Sequence, residues 1–224
     1  MLVSSGWLLR RSSGHGSWAC SHSPTQLSNP PPKVEHFENE PADYSVGFVL
    51  DGFFLCVVWG MAVYDRAYEP VALALNHVAG SRDRRMREVA DTLWRFFGHQ
   101  GVSWVGFYTI DDVQENMVLG PSRDTPACSP IGLHGACGKV WRTGRPMIIG
   151  DVVNLGAEYV ACDPRDKSEL VIPMFDDGGN CWGVLDVDSR ERDAFCEADL
   201  QGLRRILEAT GLSWPKGHLD AIVY

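Results

Sequence analysis

Residues 168–189, SELVIPMFDDGGNCWGVLDVDS, decide how this chain folds. Two runs of strand length, 169–175 and 181–187, flank Asp176-Asp177-Gly178-Gly179, a hairpin signal. Asp186 and Asp188 alternate along the second run, so both project from one face of a strand. Glu169 opens the neighbouring strand and can share that face. Three acids there are costly unless they are solvated, paired or bound to something cationic. On an outer strand, water would suffice. VLDVDS is otherwise strongly apolar and reads as central, where acids mark a site. Such a cluster attracts a ligand ammonium and raises at least one carboxyl pKa, and a protonated carboxyl can hydrogen-bond an oxygen that gains negative charge.

Working outward, residues 69–98 place Val71, Leu75, Val78, Met86, Val89, Leu93 and Phe97 at helical spacing. Gly80-Ser81 divides them into two helices, and Gly98 is a helix stop. SWVGFYTI, 103–110, is β-branched and aromatic and predicts a strand; 116–120 predicts a second. Residues 135–143 suit a short helix carrying Cys137 and Val140 and ended by Gly144, followed by a strand at 146–149. An irregular stretch, 150–167, contains Cys162, and loops of such length in a compact domain are often functional. An amphipathic helix at 197–210 turns Leu200, Leu203, Ile206 and Leu207 inward. The order helix, hairpin, crossover, hairpin, helix predicts an α+β domain, an antiparallel sheet with helices packed on one face. Trp104 and Tyr108, four residues apart on one strand, face the same side. Core packing is the default for such a pair, and an aromatic wall for a small methyl or thioether group is the sharper alternative.

The 224 residues carry 20 Lys and Arg against 29 Asp and Glu, a formal net charge of −9, which poorly suits a nucleic-acid backbone. Residues 1–45 are rich in Ser, Pro and Gly, with no acid before Glu35. Arg10 and Arg11 among serines faintly resemble an organelle transit peptide, but a disordered leader is the favoured reading, because such a composition cannot bury a core. The apolar stretch 46–64 nears membrane-helix length. Asp51 within it costs about 2.5–3.5 kcal/mol on insertion scales and a basic flank is missing, so spanning is disfavoured. A native start at Met61 would make 1–60 extraneous. Residues 66–212 form the folded domain, and 213–224 a C-terminal tail.

Seven cysteines with no CxxC exclude a disulfide-rich secreted scaffold and the common zinc and thioredoxin-type signatures. Cys56, Cys181 and Cys196 read as small buried hydrophobes. Cys128, Cys137 and Cys162 lie in PACSP, GACGK and ACDP, turn-like settings that favour access. A first-turn position on a helix would lower the pKa of Cys137 through the helix dipole. Arg165 and Lys167 lie near Cys162 in sequence, with Asp163 opposing them. On surroundings alone, reactive and idle thiols remain equally open. The spacings of 9 and 25 residues match no common zinc finger, and His134 would have to be the fourth ligand, so no metal is expected.

SWVGFY (103–108), LGP (119–121), PAC (126–128), ACG (136–138), GDV (150–152), ACD (161–163), SELVIP (168–173) and VLDVDS (184–189) occur in an order that resembles the free methionine-(R)-sulfoxide reductases, small GAF-domain enzymes. The resemblance spans roughly 66–212. It implies a GAF-like central antiparallel sheet flanked by helices and thiol-dependent reduction of free L-methionine (R)-sulfoxide. By position, Cys162 matches the nucleophile that is left as a sulfenic acid. Cys128 matches the resolving thiol, and Cys137 a second resolving or relay thiol. Thioredoxin would reduce the resulting disulfide, and no bound cofactor is implied. Glu169, Asp186 and Asp188 match acids that hold the substrate ammonium and sulfoxide oxygen, Trp104 and Tyr108 the aromatic side of the pocket, and backbone amides around Tyr159, Val160 and Ala161 the holders of the substrate carboxylate. A homodimer is implied, and working thiols favour a reducing cytoplasm. The runner-up is a GAF module that senses a small ligand without turnover. The chain departs from the family pattern at Ser122-Arg123-Asp124, in the turn before Cys137, and in LGAEYV before Cys162.

Overall fold

The computed structural model describes the strand residues 6–8, 45–50, 53–58 and 61–62, together with 64–224 except 112, 114, 125–126, 159–161 and 217–219. The chain divides into two units, Met1–Ala62 and Val63–Tyr224.

In the first unit, β1 (Gly6–Leu8), β2 (Ser45–Leu50), β3 (Phe53–Val58) and β4 (Met61–Ala62) form a four-stranded sheet in that order, each neighbouring pair antiparallel. Thus the apolar stretch 46–64 includes a hairpin, with Val49 opposite Phe54 and Leu50 opposite Phe53. Its Val and Phe content explains the preference for strands. Among the described residues no helix is long and apolar enough to cross a membrane. Most of these strands fall in the apolar stretch 46–64, beyond the expected leader; the rest of 1–60 lies outside the described residues.

The second unit begins with α1 (Tyr68–Leu75) and α2 (Arg82–Phe97). Gly80, at φ +110°, makes the turn between them, and Ser81 Oγ accepts from the Arg84 amide to cap α2. β5 (Trp104–Ile110), β6 (Asn116–Arg123), β7 (Ile131–Gly132), α3 (Ala136–Thr143) and β8 (Met147–Ile149) follow. A 3-10 segment at Val152–Glu158 leads into β9 (Ser168–Phe175), β10 (Cys181–Ser189), α4 (Glu197–Ala209) and β11 (Ile222–Val223). The sheet order is β11-β8-β9-β10-β5-β6-β7, antiparallel except for the parallel β11–β8 edge. β10 is central, between β9 and β5, as its apolar sequence requires.

Side-chain alternation along the strands builds two cores. Val105, Phe107, Leu170, Ile172, Leu185 and Val187 pack under α1, α2 and α4. Trp104, Tyr108, Val171 and Val184 face the other way, with Met147, Ile149 and the Ala136, Cys137 and Val140 side chains of α3. Helices therefore cover both faces, not one as the element order suggested. The short α3 buries its apolar stripe on the face that α1, α2 and α4 leave open. Arg66, buried, locks the helical side: it donates to Asp199 Oδ1 at 3.0 Å and to the Ala194 and Gln100 carbonyls. Asp199 Oδ2 in turn accepts the Cys196 amide at the start of α4.

Residues of the expected C-terminal tail pair with the domain. Trp214 N donates to Phe175 O, Tyr224 N donates to Ile148 O, and Ile222–Val223 adds a strand to the sheet. β7 and the last three residues of β6 were not expected either.

Candidate active site

The acids meet because of register. Asp188 lies opposite Trp104 on one side and Glu169 on the other; Asp186 lies opposite Gly106 and Val171. All of these point to the α3 side of the sheet. Gly106 is required here: a Cβ on it would stand 2.3 Å from the Trp104 ring and 2.7 Å from Ser122 Cβ. Trp104 folds over this gap toward Tyr108, with ring centroids 6.1 Å apart.

Together these residues line a cleft open to solvent, with about 760 Å³ of empty space when its mouth is included. Glu169, Asp186, Asp188 and Cys137 lie inside it, Trp104, Tyr108, Ala136 and Leu155 form apolar walls, and Cys162 stands with Asp163 and Asp166 at one side. Glu169 and Asp186 are buried, and no basic side chain among the described residues pairs with any of the three acids. Burial pushes Asp186 up to about 7, against hydrogen bonds from Cys137 and Glu169. Burial, then the charge of Asp186, holds Glu169 and Asp188 well above the usual carboxylate range. Asp186 Oδ1 is buried and has no hydrogen-bond partner among the described residues. The expectation that the three acids crowd one face of the sheet is met.

The three thiols separate. Cys137 Sγ, buried, donates to Asp186 Oδ2 at 3.3 Å. Burial, then Asp186 and Glu169, pushes this thiol well up, so the expectation that the α3 dipole lowers it is corrected. Its neighbours on the sheet are anions, and they outweigh a helix terminus. Cys162 and Cys128 are both exposed residues of loops. Their thiols are in hydrogen-bond contact, and Tyr108, whose hydroxyl donates to Cys128 O at 2.9 Å, lies within reach of the Cys162 thiol. Burial of the Cys162 sulfur pushes it up to about 11, against the pull of the Cys128 amide and the Tyr108 hydroxyl. Burial and the charge of Asp186 likewise raise Tyr108, which stays a neutral donor.

The loop bearing Cys162 is anchored on both sides. Asp151 pairs with Arg192 at 2.5 Å, and Asp163 pairs with Arg165 at 2.6 Å and Arg190 at 3.5 Å. The Arg165 guanidinium holds the Asp163 carboxyl well below its usual range. Tyr159, Val160 and Ala161, expected to hold a carboxylate, lie outside the described residues. Sequence reasoning missed Asp166 and Ser103. Asp166 is buried at the cleft and its Oδ1 accepts from Ser103 Oγ at 2.7 Å. Its only signal was a second acid four residues beyond Cys162.

Residues 79–213, more than half of the chain, match the GAF domain. The GAF domain-containing protein A of Dictyostelium discoideum is 40% identical over 106 residues, 47% of this chain and 65% of that protein. The free methionine-R-sulfoxide reductase of Saccharomyces cerevisiae is 34% identical over 107 residues, 47% of this chain and 59% of that protein. Each match thus spans less than two thirds of the relative. The X-ray structure of free methionine-R-sulfoxide reductase from Neisseria meningitidis, in complex with its substrate, superposes with a TM-score of 0.57 at 30% identity, over 64% of this chain and 83% of that one.

Proposed function

The chain belongs to the GAF-domain family, and from that premise we propose that it reduces free L-methionine (R)-sulfoxide to L-methionine. The observation that carries the reading is the contact between the Cys162 and Cys128 thiols at the side of a cleft lined by three acids without a basic partner among the described residues. A zwitterionic sulfoxide supplies what these groups lack. Its ammonium offers Glu169 and Asp188 a counter-charge. Its oxygen offers the buried Asp186 carboxyl an acceptor, and a protonated sulfoxide is the better electrophile. Trp104 and Tyr108 provide an apolar wall for the S-methyl end, and amides around Tyr159, Val160 and Ala161 remain the proposed holders of the carboxylate.

Cys162 Sγ attacks the sulfoxide sulfur. The S–O bond to methionine breaks, methionine leaves, and the oxygen is retained as the Cys162 sulfenic acid, so the two electrons come from the thiol. Cys128 then attacks the Cys162 sulfur; the sulfenic oxygen departs as water and a Cys128–Cys162 disulfide remains. Thioredoxin, or another dithiol, restores both thiols by exchange, with no bound cofactor. Cys137, bonded to Asp186, conditions the acid cluster in this scheme and relays to Cys128 only secondarily. Dimerisation and a cytoplasmic setting accompany the proposal.

The test is to supply dithiothreitol and racemic methionine sulfoxide and follow both enantiomers with wild type and Cys162→Ser. Wild type should consume the R form alone, and Cys162→Ser neither. No loss of the R form with wild type would end the reading; loss undiminished in Cys162→Ser would remove Cys162 as nucleophile. A purely sensory GAF module would bind without consuming either enantiomer.

A further inference from the structure

At the floor of the cleft, Cys137 Sγ, one Glu169 oxygen and one Asp186 oxygen all lie within 4.8 Å of one another. The three groups come from three elements, α3, β9 and β10, so the rigid sheet and the helix packed on it fix their separation. Acids and a thiol at this spacing are not by themselves a site. A second observation points to a ligand: Asp186 Oδ1 is buried beside the cleft and finds no hydrogen-bond partner among the described residues. A buried carboxyl oxygen without a partner is costly, and in native proteins it signals something that completes it.

We propose that Cys137, Glu169 and Asp186 form a binding site for a divalent cation of borderline softness, Zn²⁺ above all, with the cleft supplying the remaining coordination position. The donor set selects the metal. One thiolate and two carboxylates suit zinc, whereas magnesium and calcium prefer all-oxygen shells and copper(I) prefers sulfur throughout. Tetrahedral zinc, with bonds of about 2.0–2.3 Å, sets its ligand atoms roughly 3.4–3.6 Å apart. Cys137 Sγ stands 3.3 Å from Asp186 Oδ2, close to such an edge, and a bidentate Asp186 brings its unpartnered Oδ1 to the cation as well. Glu169 supplies the third donor, its oxygen within 4.8 Å of the other two. Coordination displaces the thiol proton and neutralises three crowded groups. Three protein ligands and an open position on a cleft leave the cation reachable by small molecules. If the reductase reading holds, the cation and the substrate ammonium compete for the same carboxylates, and zinc inhibits the reaction competitively.

The test uses the full chain, reduced with a phosphine so that no added thiol competes for metal. Zn²⁺ is titrated by calorimetry, and Co²⁺ by its near-ultraviolet thiolate charge-transfer band. One equivalent should bind, and the band should persist in the Cys128→Ser/Cys162→Ser double variant, which removes the exposed dithiol. Cys137→Ser should abolish the band. Asp186→Asn, which keeps all thiols, should weaken Co²⁺ binding beyond the roughly 10–100-fold that loss of an outer-shell partner causes. No stoichiometric binding by folded wild type would overturn the site. So would a band that survives in Cys137→Ser and vanishes in the double variant, or an affinity unchanged in Asp186→Asn. Binding is read without turnover, so its failure refutes the metal site alone, whereas inactivity of metal-free protein refutes the reductase reading alone.

Discussion

Replacing Asp186 with Asn should stabilise the protein while impairing it, and the gain should depend on pH in a defined window. Asn keeps an oxygen for Cys137 and Glu169 to donate to, so the principal loss is the ionisable proton. Burial raises Asp186 from an ordinary 3.8 to about 7 in the folded state. The unfolded chain ionises first as pH rises, so wild type loses stability progressively from about pH 4 until the folded carboxyl also ionises near 7. Below pH 4 that contribution is fully present, and above pH 8 its loss is complete. At about 1.4 kcal/mol per pH unit, the displacement amounts to about 4 kcal/mol as an upper bound. Urea denaturation of wild type and Asp186→Asn at intervals from pH 4 to 9 reads this directly. The variant should gain on wild type across pH 4–7 by up to about 4 kcal/mol, then run parallel to it. In the same preparations kcat/KM for the R-sulfoxide should fall about 100-fold or more, the scale of a lost general acid. Stability curves that stay parallel from pH 4 to 9 would show that Asp186 titrates like a solvated carboxyl, and the reasoning about a protonated cluster would fail.

Three further perturbations probe other parts of the molecule. Cys128→Ala should keep a single turnover, with Cys162 sulfenic acid trapped by a dione reagent and seen by mass spectrometry, but lose sustained turnover with thioredoxin; an undiminished steady state would remove Cys128 as the resolving thiol. Gly106→Ala places a Cβ 2.3 Å from the Trp104 ring, so the ring must move; about 1–3 kcal/mol of stability should be lost and KM should rise, and a variant with both unchanged would deny the packing argument. Arg66→Ala leaves the buried Asp199 carboxylate without its 3.0 Å partner and should cost about 3–5 kcal/mol in chemical denaturation, with much of the loss restored in Arg66→Met/Asp199→Leu; a loss below about 1 kcal/mol would refute the anchoring role.

The sheet and the acid cluster were legible because their signals are local. Alternation puts Asp186 and Asp188 on one face, the DDGG turn fixes β9 beside β10, and Trp104 and Tyr108 share a side by the same period of two. What was not legible depends on partners distant in sequence. β11 has two residues, and only the parallel edge of β8, some 75 positions earlier, makes it a strand. α3 was found as a helix, but its face of the sheet follows from where the other three helices already pack. Asp166 was hidden in an Asp- and Pro-containing loop, and nothing local says that it meets Ser103 across 63 positions. The expectation for Cys137 failed for the same reason: its first-turn position was visible, and its contact with Asp186 across 49 positions was not.

That contact decides how the three thiols divide the work. A helix terminus is worth about 0.3–1 kcal/mol to a charge beside it, and about 2 at best. Against it stand full burial of Cys137 and two carboxylates, one within 3.3 Å, each penalising a thiolate. Cys137 therefore stays protonated and points into the acid cluster. A dithiol reductant must reach sulfur, and among these three cysteines only Cys128 and Cys162 are exposed. Exchange with a partner thus falls to the loop pair. With Cys162 as the proposed attacker, Cys128 is the exposed sulfur of the resulting disulfide that a reductant would meet. The resemblance gives Cys128 this role, and burial favours the same choice by holding Cys137 at the floor of the cleft while Cys128 stays exposed.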